Sequence, residues 1–157
     1  MFELSKEGVE FVKSEMNRYE TKRSAIIPCL FRVQKENGGW VSPESVSYLA
    51  QLMEVPDRWV QEVMTFYTMF NQKPVGKHHV QVCCNISCAM NGGRELADHI
   101  EKSLGAEGGR VSSDGKYKVS RVECLGSCGT APMMQVNDDY YENLTPESAV
   151  ELLKGMK

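Results

Sequence analysis

Five of the six cysteines lie in two short stretches, Cys83-Cys84-Asn85-Ile86-Ser87-Cys88 and Cys124-Leu125-Gly126-Ser127-Cys128. Thiolates are soft donors, and two turns each carrying a pair of them predict one shared site for a soft metal. Spacing separates the candidates. Structural zinc sites favour gaps of about two to four residues, with two the commonest, whereas plant-type iron-sulfur sequences open with about four, as between Cys83 and Cys88. A binuclear cluster is also wider than a single ion and suits longer loops, which favours iron-sulfur over zinc. Two disulfides are the other use of four cysteines. The opening Met1-Phe2-Glu3-Leu4-Ser5-Lys6-Glu7 has no basic, apolar or cleavable leader pattern, so a reducing compartment and free thiols are expected.

The chain has 157 residues, 41% hydrophobic and 25% charged, which suits one globular domain or two small ones. A net charge of -3 and no lysine-arginine cluster argue against nucleic acid as a partner. No apolar stretch approaches the roughly twenty residues needed to span a bilayer, so no direct membrane insertion is expected.

The first half reads as helices. Val9, Val12, Met16 and Tyr19 recur at helical spacing after a Ser5 cap, predicting a helix over 5–19. A second helix is expected over 23–37, with Pro28 in its first turn or kinking it, and with Gly38-Gly39 as its end. Cys29 falls on its apolar face and reads as a buried, inert thiol. Ser42-Pro43 and Pro56-Asp57 start two more helices, the last carrying Trp59, Val60, Val63, Met64 and Tyr67 on one face. It runs into Thr65-Phe66-Tyr67-Thr68-Met69-Phe70, expected to be core packing in preference to a docking surface. Four short helices make a thin core, which favours packing on a neighbour.

Helical periodicity stops over 71–76, giving a helical domain over 1–75 and a second domain over 76–157. His78 to Val82 alternate as a strand, with Val80 and Val82 on one face and His79 and Gln81 on the other. His78 and His79 are expected to be half-exposed polar residues and not ligands. By the same alternation Cys84 continues the valine face and Cys83 points towards the loop, so Cys83 is assigned as the ligand. The competing register pairs Cys84 with Cys88, which mirrors the three-residue gap of the second loop. A helix over 94–104, a strand over 117–123 leading into Cys124, strands over 132–136 and 140–142, and a helix opened by Thr145-Pro146 complete the pattern. Both cysteine loops then follow adjacent strands at the same end, within reach of one metal site. The order β-α-β-β-α is similar to a thioredoxin-like layout.

Such a cluster moves one electron at a time. No G-x-G-x-x-G or Walker stretch offers a two-electron cofactor site on this chain. Gly126 and Gly129 leave backbone amides free to approach cluster or cysteinyl sulfurs, besides permitting tight turns. A zinc-stabilised interaction module is the alternative from another class. A thiol-disulfide enzyme is disfavoured, because neither loop has C-x-x-C spacing.

Lys22-Arg23-Ser24-Ala25-Ile26-Ile27-Pro28, Gly39-Trp40-Val41-Ser42, Thr65 to Phe70, Pro74-Val75-Gly76-Lys77, both cysteine pairs and Cys128-Gly129-Thr130-Ala131-Pro132 closely resemble the E subunit family of bacterial NADH-quinone oxidoreductase, the 2Fe-2S subunit of respiratory complex I. The resemblance implies an α+β chain, an N-terminal helical arm followed by a thioredoxin-like 2Fe-2S ferredoxin domain, with Cys83, Cys88, Cys124 and Cys128 holding one 2Fe-2S cluster. It implies a flavoprotein partner that binds FMN and NADH and exchanges one electron with this cluster, which lies off the main chain of clusters and shortens the life of the reactive half-reduced flavin. A large iron-sulfur subunit is the further partner implied, with a cytoplasmic location peripheral to the inner membrane. Chains of NAD-linked hydrogenases and formate dehydrogenases resemble it too, so the equivalent subunit of such a complex is the alternative that the resemblance implies. Cys84 departs from the family's usual threonine or small residue, and Met133 stands where valine is expected.

Overall fold

The structure, a computed structural model, describes residues 2–156, so the Met1 and Lys157 ends of the predicted domains lie outside the described residues. The chain divides into two compact units, one ending at Pro74 and the other beginning at Val75.

The first unit is helical. Helix α1, Lys6–Arg18, starts where the Ser5 hydroxyl accepts the Gly8 amide at 3.0 Å. The Glu36 carboxylate accepts the Ser5 amide at 2.7 Å and the Arg32 guanidinium at 2.6 Å, so the start of α1 is tied to the end of α2, Ile26–Glu36. A 3-10 turn over Lys22–Ala25 precedes α2 and makes Pro28 its third residue, where a missing amide costs no helical hydrogen bond. Helix α3, Pro43–Met53, opens with a reciprocal cap in which Ser42 and Ser45 each accept the other's amide. Helix α4, Asp57–Phe66, follows. Val12, Ile26, Leu30, Val33, Leu49, Met53 and Val60 are fully buried between the four helices, giving a continuous core in place of the thin one expected. Cys29 lies within it, its thiol pushed up to about 12 by burial and then by the Glu15 carboxylate.

The expectation that residues 65–70 pack inside needs correction. Phe70 is buried, but α4 ends at Phe66, the chain turns extended at Tyr67, and Phe66 is 77% exposed beside half-exposed Tyr67 and Met69.

The second unit is a four-stranded mixed sheet in the order β2-β1-β3-β4, formed by β1 His78–Cys83, β2 Tyr117–Val122, β3 Met134–Val136 and β4 Asp139–Tyr141. β1 and β2 run parallel, joined by a crossover through α6, Gly93–Leu104, while β3 and β4 form an antiparallel hairpin on the other side of β1. Leu96, Ala97 and Ile100 of α6 and Ala149, Val150 and Leu153 of α7, Pro146–Gly155, pack with Val80, Val82, Val119 and Val136 on one sheet face. Tyr117 donates its hydroxyl to the Leu153 carbonyl at 2.8 Å, a bond worth about 1 kcal/mol.

Both histidines of β1 are buried, not half-exposed as expected. β1 is an interior strand, and its neighbours β2 and β3 cover it from two sides. His78 stacks on Tyr117 with centroids 5.4 Å apart, and His79 Nε2 shares a 2.9 Å hydrogen bond with Ser120 Oγ. Burial, with the Lys118 charge adding, pushes His79 down to about 4, so the ring is neutral.

Candidate metal centre

The parallel pairing decides where the cysteines stand. Val80 faces Val119 and Cys83 faces Val122 across the ladder, so β1 and β2 end together and the two cysteine loops leave from the same edge. Side chains alternate along β1. Val80, Val82 and Cys84 pack into the main core, whereas Cys83 joins Cys88 and Met133 in a separate buried cluster edged by Leu125 and Ala131.

The first loop is built by packing. Asn85 caps a five-residue helix, α5, Ile86–Met90, which the sequence pattern did not suggest, and its inner side buries Cys88. Gly93 permits this closeness, because a Cβ there would stand 2.8 Å from the carbonyl oxygens of both Cys83 and Cys88. Burial, then the hydrogen bond with Cys83, pushes the Cys88 thiol up to about 11. Cys84 bonds the Val82 carbonyl at 3.6 Å, and its pKa is raised chiefly by burial.

The second loop is built by polar contacts. Cys124 and Cys128 are exposed. The Gly126 amide donates to Cys124 Sγ at 3.4 Å from a residue with φ of +80°, a left-handed turn that favours glycine. The Ser127 and Thr130 hydroxyls stand 2.8 Å apart, and both donate to the Glu142 carboxylate, Thr130 at 2.6 Å. These bonds, Ser127 first, hold Glu142 below the usual carboxylate range. Tyr140 donates to the Leu125 carbonyl at 2.7 Å, and Asn143 donates its amide to the Thr130 carbonyl at 2.8 Å. The loops touch directly where Ser87 Oγ donates to the Cys128 carbonyl at 2.9 Å.

Cys83 and Cys88 are therefore brought together, with Cys128 close enough to act on Cys88 electrostatically, while Cys124 stays at the surface. Among the described residues, no three His, Cys, Asp or Glu side chains gather closely enough to hold a metal ion as they stand. The donor chemistry nevertheless fits a thiolate-bound group: four thiols on two loops joined by Ser87, with one amide already turned to a sulfur. Ser127, Thr130, Tyr140 and Glu142 are not legible as a unit in the sequence, since partners 12 to 15 residues apart share no periodicity. Only the sheet order places the β3–β4 hairpin beside the loop.

A family described as thioredoxin-like 2Fe-2S ferredoxin matches residues 12–157. A Rickettsia bellii protein named as the E subunit of NADH-quinone oxidoreductase is 40% identical over 158 residues, covering 99% of this chain and 95% of its own. The chain belongs to the E subunit family of NADH-quinone oxidoreductase. A Rhizobium meliloti protein, named as a second E subunit of the same oxidoreductase, is 41% identical over 148 residues, covering 94% of this chain and 88% of its own. A chain of this family is one part of an oxidoreductase, and its thioredoxin-like unit follows the helical arm described above. A chain of an NAD+-reducing NiFe-hydrogenase in the air-oxidized state superposes with a TM-score of 0.69 at 16% identity, covering 82% of this chain and 22% of that one, a likeness of fold.

Proposed function

We propose that Cys83, Cys88, Cys124 and Cys128 hold one 2Fe-2S cluster, and that the chain is a one-electron-transfer subunit that exchanges an electron with FMN on a partner flavoprotein that also binds NADH. The observation that supports this most is the parallel register of β1 and β2, which delivers both cysteine loops to one edge with Ser87 tying them together. When bound, such a cluster accepts and returns single electrons. The chain's own residues do the rest. Cys83 and Cys88 offer two sulfurs from a buried, packed loop, and Cys124 and Cys128 offer two from an exposed one. The Gly126 amide supports negative charge on Cys124 Sγ. Cys84 stays on the core face and out of the ligand set.

Docking surfaces suit such a partner. Ile86 and Met90, 75% and 83% exposed, stand one helical turn apart on α5 within the first cysteine loop. In the helical unit, Glu62, Val63, Thr65, Phe66 and Tyr67 line an open groove of about 570 Å³. Single exposed apolar residues are ordinary, but groups of them mark contact surfaces. The flavoprotein subunit, with the large iron-sulfur subunit beside it, is the partner proposed, on the cytoplasmic side of the inner membrane. Among the described residues no helix is long and apolar enough to cross a membrane. Holding one electron off the main route would limit leakage from the half-reduced flavin.

The test is anaerobic purification with the flavoprotein partner, followed by iron, sulfide and zinc analysis and dithionite titration. Equal iron and acid-labile sulfide, a brown colour that bleaches on reduction and electron exchange with the flavin are expected. Zinc in a colourless protein would replace this reading with an interaction module, and superoxide output unchanged in a cluster-free variant would remove the protective role.

A further inference from the structure

We propose that Glu142 is a positioning residue of the metal centre, its carboxylate anchoring the second cysteine loop and setting the reduction potential through Ser127 and Thr130. The inference rests on the reading of Cys124 and Cys128 as ligands and goes beyond it, because Glu142 is not a ligand and lies outside both loops.

The geometry is specific. Glu142 follows β4 directly, so the hairpin that carries it is fixed to β1 through β3. One oxygen, Oε1, accepts from both Ser127 Oγ and Thr130 Oγ1, which stand 2.8 Å apart. Ser127 immediately precedes Cys128, and Thr130 closes the 3-10 turn Cys128–Thr130 by donating its amide to the Ser127 carbonyl at 3.3 Å. Asn143, the next residue along, accepts φ of +51° and uses its amide on the Thr130 carbonyl. The loop is thus gripped by consecutive residues of one hairpin end. Hydrogen bonds to a charged acceptor are stronger than neutral ones, so Glu142 is the strong point of this grip.

Its charge has a second effect. Among the described residues no lysine or arginine forms an ion pair with Glu142, whereas Arg121 is paired with Asp98 and Glu101. The two hydroxyl donors also favour the ionised form of the carboxyl. An anion one residue removed from a cysteine sulfur opposes the arrival of an electron there, and net charge near a cluster is one of the determinants of its potential. Glu142 therefore lowers the potential while it holds the loop, and the two roles separate by substitution. Glu142→Gln keeps an acceptor oxygen and removes the charge. Glu142→Ala removes both.

The experiment measures the complex of this chain with its flavoprotein partner for cluster potential by redox titration and for cluster release to a chelator, and measures amide hydrogen exchange at Thr130 and Asn143 in the metal-free chain. In Glu142→Gln the midpoint potential rises while release stays within about twofold of wild type. In Glu142→Ala release accelerates several-fold, and the Thr130 and Asn143 amides exchange faster even without metal. Wild-type potential in Glu142→Gln together with wild-type release and exchange in Glu142→Ala overturns the proposal. Absence of iron from the wild-type chain overturns the ligand reading instead, and the metal-free exchange then decides the loop anchor by itself.

Discussion

The two cysteine loops reach the same edge of the sheet by opposite means. The first is held by apolar packing: Cys83 and Cys88 are buried with Met133, over a glycine that admits no side chain. The second is held by hydroxyls, a carboxylate and a phenol, and its two cysteines face solvent. A packed loop keeps its shape whatever the state of its thiols, because its alternatives would open a cavity. A hydrogen-bonded loop at the surface competes with water and yields more easily. In the proposed site the buried pair is thus the preformed half, and the exposed pair is the half that adjusts.

The contrast breaks first on ligand replacement. Cys88→Ser and Cys83→Ser are expected to reduce iron content at least tenfold, while Cys84→Ser retains it, as measured on anaerobically prepared protein. Iron kept by Cys83→Ser and lost from Cys84→Ser would reverse the assignment. The next largest effect tests packing against hydrogen bonding. His79 lies in the strand that carries the first loop and is bonded to the strand that carries the second, so its protonation strains the base of both. Its folded value of about 4 is below the ordinary 6.5, so the unfolded chain binds more protons between these values. Stability contributed by the neutral ring is present above pH about 6.5 and is lost as pH falls towards 4, by up to about 3 kcal/mol. Denaturant melts of the metal-free chain should show this slope, and His79→Gln should flatten it.

Gly93→Ala comes third. It pushes a methyl group against two carbonyl oxygens and is expected to cost about 1–3 kcal/mol, with faster cluster loss. Thermal melts and chelator release measure it, and no change would mean that α6 shifts freely. Smallest is Ser87→Ala, which removes the bond between the loops. It should cost about 1 kcal/mol and accelerate release from the second loop more than from the first, read by alkylation of Cys128 against Cys88.

Much of the fold is legible in the chain itself, because the signals are local. Ser5, Ser42-Pro43 and Thr145-Pro146 mark helix starts by chemistry that acts within one turn, and α1, α3 and α7 begin there. The alternation of Val80, Val82 and Cys84 likewise separates Cys84 from Cys83 without any tertiary information. Most of what escapes depends on tertiary surroundings, and the local features that escape are weakly marked. α5 is too short to show periodicity. The burial of His78 and His79 escapes because alternation reports which face a residue is on, not how many strands flank it. The exposure of Phe66 escapes because an apolar side chain carries no label saying whose surface covers it. Thr145 and Ser148 form a capping box without the glutamate that usually announces one.

The one-to-one ladder between β1 and β2 has an evolutionary corollary. Residues added to the crossover between them would swell a connection and leave the strand ends aligned. A single residue added within Val80–Cys83 would instead exchange which of two neighbouring sulfurs is presented outward, turning Cys84 into the offered one. With cysteine at both positions, the chain would still offer a sulfur outward after such a slip.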